Sequence, residues 1–330
     1  MYTKYRAEAG LNVFTSWSTL IPIEKLYELT GKDDRSYHIY SVLATDEYYI
    51  DLGKTKQKED QIIFDLYRVT RKGFEHITLS PFCLNKDLNH TKIDIISDYP
   101  FDKVSLQIKD EEFLKSHPDF PARIITLLPI NLIDATLTDL GKRQKFEVLY
   151  IGQAFGNDGS RTALHRLSSH STLQKILTEK NIKYPNKHIY LFLLEIRESL
   201  NLLFDGITPQ AYKSDAETKQ HIKNVISDLP RENQVINITE AALIHHFKPA
   251  YNVKLVDSFP NPLLKGYRQY FDLDYNSLMI ELDLSFTNGM NIELYSDANR
   301  TNNAHEFIQY PLFNDNNRIS MYDIFKNMKN

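Results

Sequence analysis

The 330-residue chain carries 39 Lys or Arg against 43 Asp or Glu, a formal net charge of -4 and a pI near 6.3. That balance disfavours a protein that coats nucleic acid indiscriminately, because phosphate binding needs clustered cations. Its 42% hydrophobic and 25% charged residues are ordinary for a globular protein, and no apolar run approaches the ~18 residues of a membrane span. Cys83 is the single cysteine, which excludes an intrachain disulfide and a cysteine-built zinc site. With no secretory pattern in Met1 to Gly10, a cytoplasmic location is expected.

The chain exceeds the ~250 to 300 residues at which single cores stop growing, so more than one domain is expected. In residues 1–120, Tyr37 to Leu43, Glu47 to Leu52 and Ile62 to Val69 are rich in Tyr, Ile and Val between polar turns, as in a small α+β domain. His117-Pro118-Asp119-Phe120-Pro121 breaks regular structure, because each proline lacks a donor and turns its predecessor away from helix. It sets a first boundary near residue 120. Lys145 to Gly152 then reads as a strand and Ser160 to Leu177 as a helix. His188 to Ile196 is almost continuously apolar, the pattern of a central strand covered on both faces. A polar insertion fills 198–236, with a helix near Asp215 to Leu229, and a further helix starts near Asn237 and stops before Pro249. Ser258-Phe259-Pro260-Asn261-Pro262 marks the second boundary. Beyond it Leu278, Ile280, Leu282, Leu284 and Phe286 alternate with more polar residues, and Asn288-Gly289 turns the chain toward Asn291 to Tyr295. That spacing predicts a hairpin with a type I′ turn.

Charge is unevenly distributed. From Gly141 to Tyr190 nine Lys or Arg stand against three acids, whereas from Leu255 to Asn330 six basic residues stand against ten acidic ones. The basic segment reads either as a phosphate-facing surface or as a solvated helix face.

Two stretches carry chemistry. In Glu240-Ala-Ala-Leu-Ile-His-His-Phe-Lys-Pro249-Ala-Tyr251-Asn252, helical spacing puts Glu240 on one stripe with Leu243, Ile244 and Phe247. A carboxylate there needs a partner, either a cation or, through a capping box in Asn237-Ile-Thr-Glu240, the Asn237 amide. His245 and His246 read as solvent or packing residues. The second stretch is Tyr150-Ile151-Gly152-Gln153 with Arg166 and His170 at i and i+4 on the next helix. There a guanidinium can neutralise a phosphorane and an imidazole can move a proton, or both can be ordinary surface groups. Arg161 with His165 forms a competing i, i+4 pair. Trp17 can stack on a base or simply pack.

Together these stretches resemble the GIY-YIG nuclease family, whose pattern runs Tyr-Ile-Gly, then a helix with Arg-Leu-x-x-His, then a helix with Glu followed by Pro and Asn. The matching residues are Tyr150-Ile151-Gly152, Arg166-Leu167 with His170, and Glu240 with Leu243-Ile244, Pro249, Tyr251 and Asn252. The last element looks like the form in the family's excision-repair members. The resemblance implies that Glu240 binds one Mg2+ or Mn2+ and that Arg166 stabilises charge on the scissile phosphate. It implies that Tyr150 orients or deprotonates water and that His170 binds substrate or assists proton transfer. Asn252 would fix the local structure, and Gly152, Arg161, His165 and Lys175 would lie along the bound substrate. The family's first tyrosine, in a Gly-Ile-Tyr strand about ten residues before the second, has no counterpart between Tyr99 and Tyr150. The expected preceding strand, Arg123 to Leu128 or Ile130 to Leu137, supplies no phenol.

The expectation is therefore an α+β protein in three parts: an α+β region 1–120, a GIY-YIG-like small sheet flanked by helices over 121–255, and a β-rich region 256–330. The middle part would hydrolyse phosphodiester bonds in DNA, with the flanks open to a protein partner. A degenerate domain that binds nucleic acid or protein without cutting is the alternative.

Overall fold

The computed structural model describes residues 2–29, 35–84, 91–118, 123–153, 171–204, 211, 213–287 and 289–323. The strands in chain order are β1 (Ala7–Pro22), β2 (Ile39–Asp46), β3 (Tyr48–Ile50), β4 (Lys56–Lys58), β5 (Gln61–Ile63), β6 (Asp65–Thr70), β7 (Gly73–Thr78) and β8 (Phe82–Cys83). They continue with β9 (Ile93–Ile96), β10 (Val104–Ile108), β11 (Ile124–Leu127), β12 (Gln144–Gln153), β13 (Lys187–Phe204), β14 (Ser277–Asp283), β15 (Ile292–Tyr295) and β16 (His305–Pro311). Seven of them form one mixed sheet in the order β15-β12-β2-β13-β1-β14-β16, which curls into a half-barrel. The mixed α+β class is as expected, but the sheet is larger and draws strands from all three of the expected parts.

Register follows from which side chains each strand buries. Ile189 to Leu194 of β13 are all buried, alternate residues facing opposite cores, as a central strand with a continuous apolar run requires. One core lines the concave side, where the helix Glu232–Phe247 packs with side chains from all seven strands. This helix is apolar nearly all round, because Val235, Ile236, Ile238, Ala241, Ala242, Leu243, Ile244 and Phe247 are all buried. It ends where Lys248 adopts a left-handed φ of 46° ahead of Pro249. The other face carries a second core from Tyr40, Val42, Leu149, Leu191 and Leu193, covered by Leu173 and Ile176 of the helix Ser171–Lys183.

Residues 47–143, between β2 and β12, form three small antiparallel sheets and the helix Pro129–Asp139 around a core of their own. This corrects the expected neighbour of β12. Ile130 to Leu137 is helical, Ile124–Leu127 pairs with β10 in a separate sheet, and the strand beside Tyr150 is β2. The predicted hairpin is also corrected. A short antiparallel pairing does form, with Phe286 N–H donating to the Met290 carbonyl at 2.9 Å, Ile292 N–H donating to the Leu284 carbonyl at 3.1 Å and a bridge from Ser285 to Asn291, but it does not extend to β14, and β15 crosses to pair in parallel with β12. Asn288 lies outside the described residues. β1 is a strand absent from the sequence expectations, although its buried residues Ala7, Ala9, Leu11 and Val13 alternate with Glu8, Gly10 and Asn12; the alternation is weak because Ala and Gly have low strand propensity. Among the described residues no helix is long and apolar enough to cross a membrane.

The chain's two ends are tied by buried charge. The Arg318 guanidinium donates to Glu8 Oε2 at 2.5 Å and Asp274 Oδ1 at 2.6 Å, while Tyr5 Oη donates to Asp274 Oδ2 at 2.9 Å and Lys4 pairs with the same carboxylate. Glu8 and Arg318 are almost wholly enclosed, so removing the guanidinium strands a buried anion. Burial pushes the Asp274 carboxyl up, but Arg318, Lys4 and Tyr5 outweigh it and hold it below the usual carboxylate range. A carboxyl depressed in the folded state contributes stability above its unfolded pKa and loses it as pH falls through the folded value. Arg318→Ala should cost about 3–5 kcal/mol in chemical denaturation at pH 7. Because Asp274 then loses its main cation, the variant's stability should also fall less steeply with acid than that of the wild type.

Candidate functional site

The Tyr150-Ile151-Gly152 segment lies at the end of β12, antiparallel to β2 with Gly152 opposite Tyr40 and Tyr150 opposite Val42. A bulge near Leu149 shifts the alternation, so Tyr150 and Gly152 face the side that holds Tyr40, while Ile151 and Gln153 face the other. The Tyr40 and Tyr150 rings are 5.8 Å apart, tilted by 42°. Gly152 leaves room for them: a Cβ there would meet Tyr150 Cε1 at 2.8 Å and Tyr40 Oη at 2.9 Å. A second tyrosine thus stands beside Tyr150, supplied by His38-Ile39-Tyr40 from 110 residues upstream (150 minus 40). That strand is legible in the sequence, but its pairing with β12 is not.

His38, just before β2, is held in a fixed orientation. Its Nδ1 accepts from the Ile196 N–H at 3.1 Å, and its Nε2 lies 3.5 Å from the Glu232 carboxylate. Burial lowers its pKa, outweighing the pull of Glu232.

Glu240 is half-buried, one turn after the half-buried Asn237 and, as its spacing implies, on the side of the central helix that continues into the buried Ile244 and Phe247. The capping box is corrected: the helix starts at Glu232 with Arg231 as N-cap, which places Asn237 and Glu240 inside it. Their partner is Gln153. Its Nε2 donates to Asn237 Oδ1 at 2.6 Å and to Glu240 Oε2 at 2.7 Å, while Asn237 Nδ2 donates to the Gly266 carbonyl at 2.9 Å. Gln153 had been given no role, although its place just beyond Gly152, on the opposite face from the phenols, is readable once the bulge is known.

Asn252 is fully engaged with the strand. Ile151 N–H donates to Asn252 Oδ1 at 2.9 Å, and Asn252 Nδ2 donates to the Ile151 carbonyl at 2.9 Å. The Tyr251 N–H donates to the Leu149 carbonyl at 3.0 Å. Tyr251 Oη donates to Glu179 Oε2 at 2.8 Å on the covering helix, and Lys175 and Lys183 lie 5.9 and 5.3 Å from its ring centroid. Burial and then the Glu179 bond raise the Tyr251 pKa. His245 has the expected packing role, donating from Nδ1 to the Val256 carbonyl at 2.8 Å between Phe259 and Tyr310.

Tyr40, Tyr150, Gly152, Gln153, Glu240 and Asn252 therefore share one rim of the sheet. The phenols approach from one face and the carboxylate from the other, with Gly152 and Gln153 between them. Arg161, His165, Arg166 and His170 lie outside the described residues. Among the described residues no three His, Cys, Asp or Glu side chains group to hold a metal ion. Among the described residues a cation at Glu240 would meet one carboxylate with the amide groups of Gln153 and Asn237 beside it, and carboxylate and amide oxygens suit a hard divalent ion. Comparison with protein-family models, curated proteins and solved structures finds no match for this chain.

Replacing Asn252 tests the clamp. Asn252→Ala leaves the buried Ile151 backbone without two partners and should cost about 2–6 kcal/mol, at ~1–3 per unsatisfied group, in urea denaturation. Asn252→Asp should lose nearly as much, because the retained acceptor sets a negative charge against the Ile151 carbonyl.

Proposed function

We propose that this chain is a GIY-YIG-like, divalent-metal-dependent endonuclease acting on DNA. The observation that carries the reading is the pairing of His38-Ile39-Tyr40 with Tyr150-Ile151-Gly152 on adjacent antiparallel strands, their phenols side by side over Gly152. It supplies the tyrosine whose absence weakened the resemblance, with residues 47–143 inserted between the two motif strands. His38 stands where the family pattern has Gly. Further support comes from the element Glu240 to Asn252, which is joined to the same strand end through Gln153 and Ile151.

Each residue has a physical task in this reading. Glu240 holds the one Mg2+ or Mn2+, which when bound supplies Lewis acidity at the scissile phosphate and its 3′ oxygen. Gln153 fixes the carboxylate through Oε2. Tyr40 and Tyr150 orient the attacking water by hydrogen bonding. Proton removal then falls to whichever phenol lies closer to positive charge, or to His170. Arg166 stabilises the charge that develops on the phosphate, as preorganised cations do best in a partly dehydrated site. Asn252 preserves the strand geometry on which both phenols depend.

A cleavage assay on supercoiled plasmid with added Mg2+ or Mn2+ tests the reading. Wild type should nick or linearise the plasmid, Glu240→Gln should abolish metal-dependent cutting, and Tyr40→Phe should lower the rate by about 10²-fold or more. Equal activity of wild type and Glu240→Gln would overturn it. Absence of cutting with retained DNA binding would favour the binding-module alternative.

A further inference from the structure

A cavity of about 380 Å3 opens at the end of the large sheet where the inserted residues 47–143 begin. That is the size of a small-molecule site. Its lining is divided in character: Ile23, Ile130, Leu177 and Ile189 are apolar, whereas Glu24, Asp46, Glu47 and Asp102 set four carboxylates against the two lysines Lys25 and Lys180. Asp46 and Tyr40 stand six positions apart on β2, about 20 Å by strand rise, so the cavity is remote from the paired phenols.

Tyr190 lines the same cavity. Register on β13 sets it opposite Pro22 of β1 and Leu43 of β2, and its ring meets Phe146 edge-on at 5.4 Å. The residue is only 5% exposed, yet among the described residues nothing hydrogen-bonds to its Oη. A hydroxyl so enclosed loses free energy unless something in the cavity bonds to it. Burial and then the Glu24 and Glu47 carboxylates push its pKa up, so it is a neutral hydroxyl in a field of negative sign.

Both carboxylates are held in place. His188 Nε2 lies 3.2 and 3.0 Å from the two Glu24 oxygens, and Glu47 accepts from Tyr49 Oη at 2.7 Å and from Lys180 Nζ at 3.1 Å. Each carboxylate oxygen has two acceptor sites, so both groups can take a further donor. An ammonium has three donors and no acceptor, which matches two carboxylates and a phenol oxygen.

We infer that this cavity binds a small primary amine with a short apolar body, its ammonium held by Glu24, Glu47 and Tyr190 Oη and its carbon chain against Ile130 and Ile189. The site does not depend on the nuclease reading.

Isothermal titration calorimetry at neutral pH with hexylamine, hexan-1-ol and hexanoate separates charge from shape. Hexylamine should bind at least about tenfold more tightly than the alcohol or the acid, as hydrogen bonds to a charged group allow. Tyr190→Phe should raise its Kd about tenfold and the exposed Glu24→Gln about threefold to tenfold, each with a urea midpoint near that of the wild type. Equal binding of the three probes would reduce the cavity to an apolar space and overturn the inference. Tighter binding of hexanoate, no binding of hexylamine, or the same hexylamine Kd in wild type and both variants would overturn it as well.

Discussion

Beyond Glu147 the outer edge of β12 has no strand beside it among the described residues, since β15 pairs only Gln144 to Glu147. Its backbone is held instead by the amide of Asn252, which both accepts from and donates to Ile151, and by the Tyr251 N–H on Leu149. An open edge inside a folded protein leaves polar groups that must find partners, and here a short segment after a helix takes the place of a strand. The Tyr150 and Gly152 positions, and through them the packing of Tyr40, depend on that substitution. So does the approach of Gln153 to the central helix.

The central helix imposes the other constraint. Enclosed by seven strands, it has little room for polar side chains, and its half-buried Asn237 and Glu240 are served at the sheet rim by one amide nitrogen of Gln153. A carboxylate in that position keeps its charge only with donors or a cation beside it. The fold therefore holds an acid at the same rim as two phenols, although they belong to opposite faces. The buried pair Glu8 and Arg318, with the bridge from Tyr2 to Arg318, ties β1 to the segment that follows β16.

Much of this was legible residue by residue. The strands of Lys145 to Gly152 and His188 to Ile196, the helix near Asp215 and the stop before Pro249 follow from apolar runs and breakers that act locally. What escaped was non-local. Tyr40 lay in a recognised strand, but its pairing with β12 spans 110 residues, and pairing over that distance leaves no periodic trace. The helix start moved from Asn237 to Glu232 because tertiary burial of Val235 and Ile236 extended it past a plausible capping box. The hairpin expected at Asn288-Gly289 forms only as a short pairing of Leu284 to Phe286 with Met290 to Ile292, because Ile292 and Leu294 are buried in the main core and β15 pairs with β12 at the opposite edge of the sheet. Glu240 and Asn252 were singled out by the resemblance rather than by spacing alone, whereas the position of Gln153 depends on a bulge that no pattern announces.

The central claim is that Glu240 holds a divalent ion at the rim where Tyr40 and Tyr150 meet. Anomalous diffraction from crystals soaked in Mn2+ tests it most directly. The account predicts a single strong peak about 2.1 Å from a Glu240 carboxylate oxygen, lost in Glu240→Gln. Mn2+ bound elsewhere, with the Glu240 carboxylate engaged only by Gln153, would contradict it.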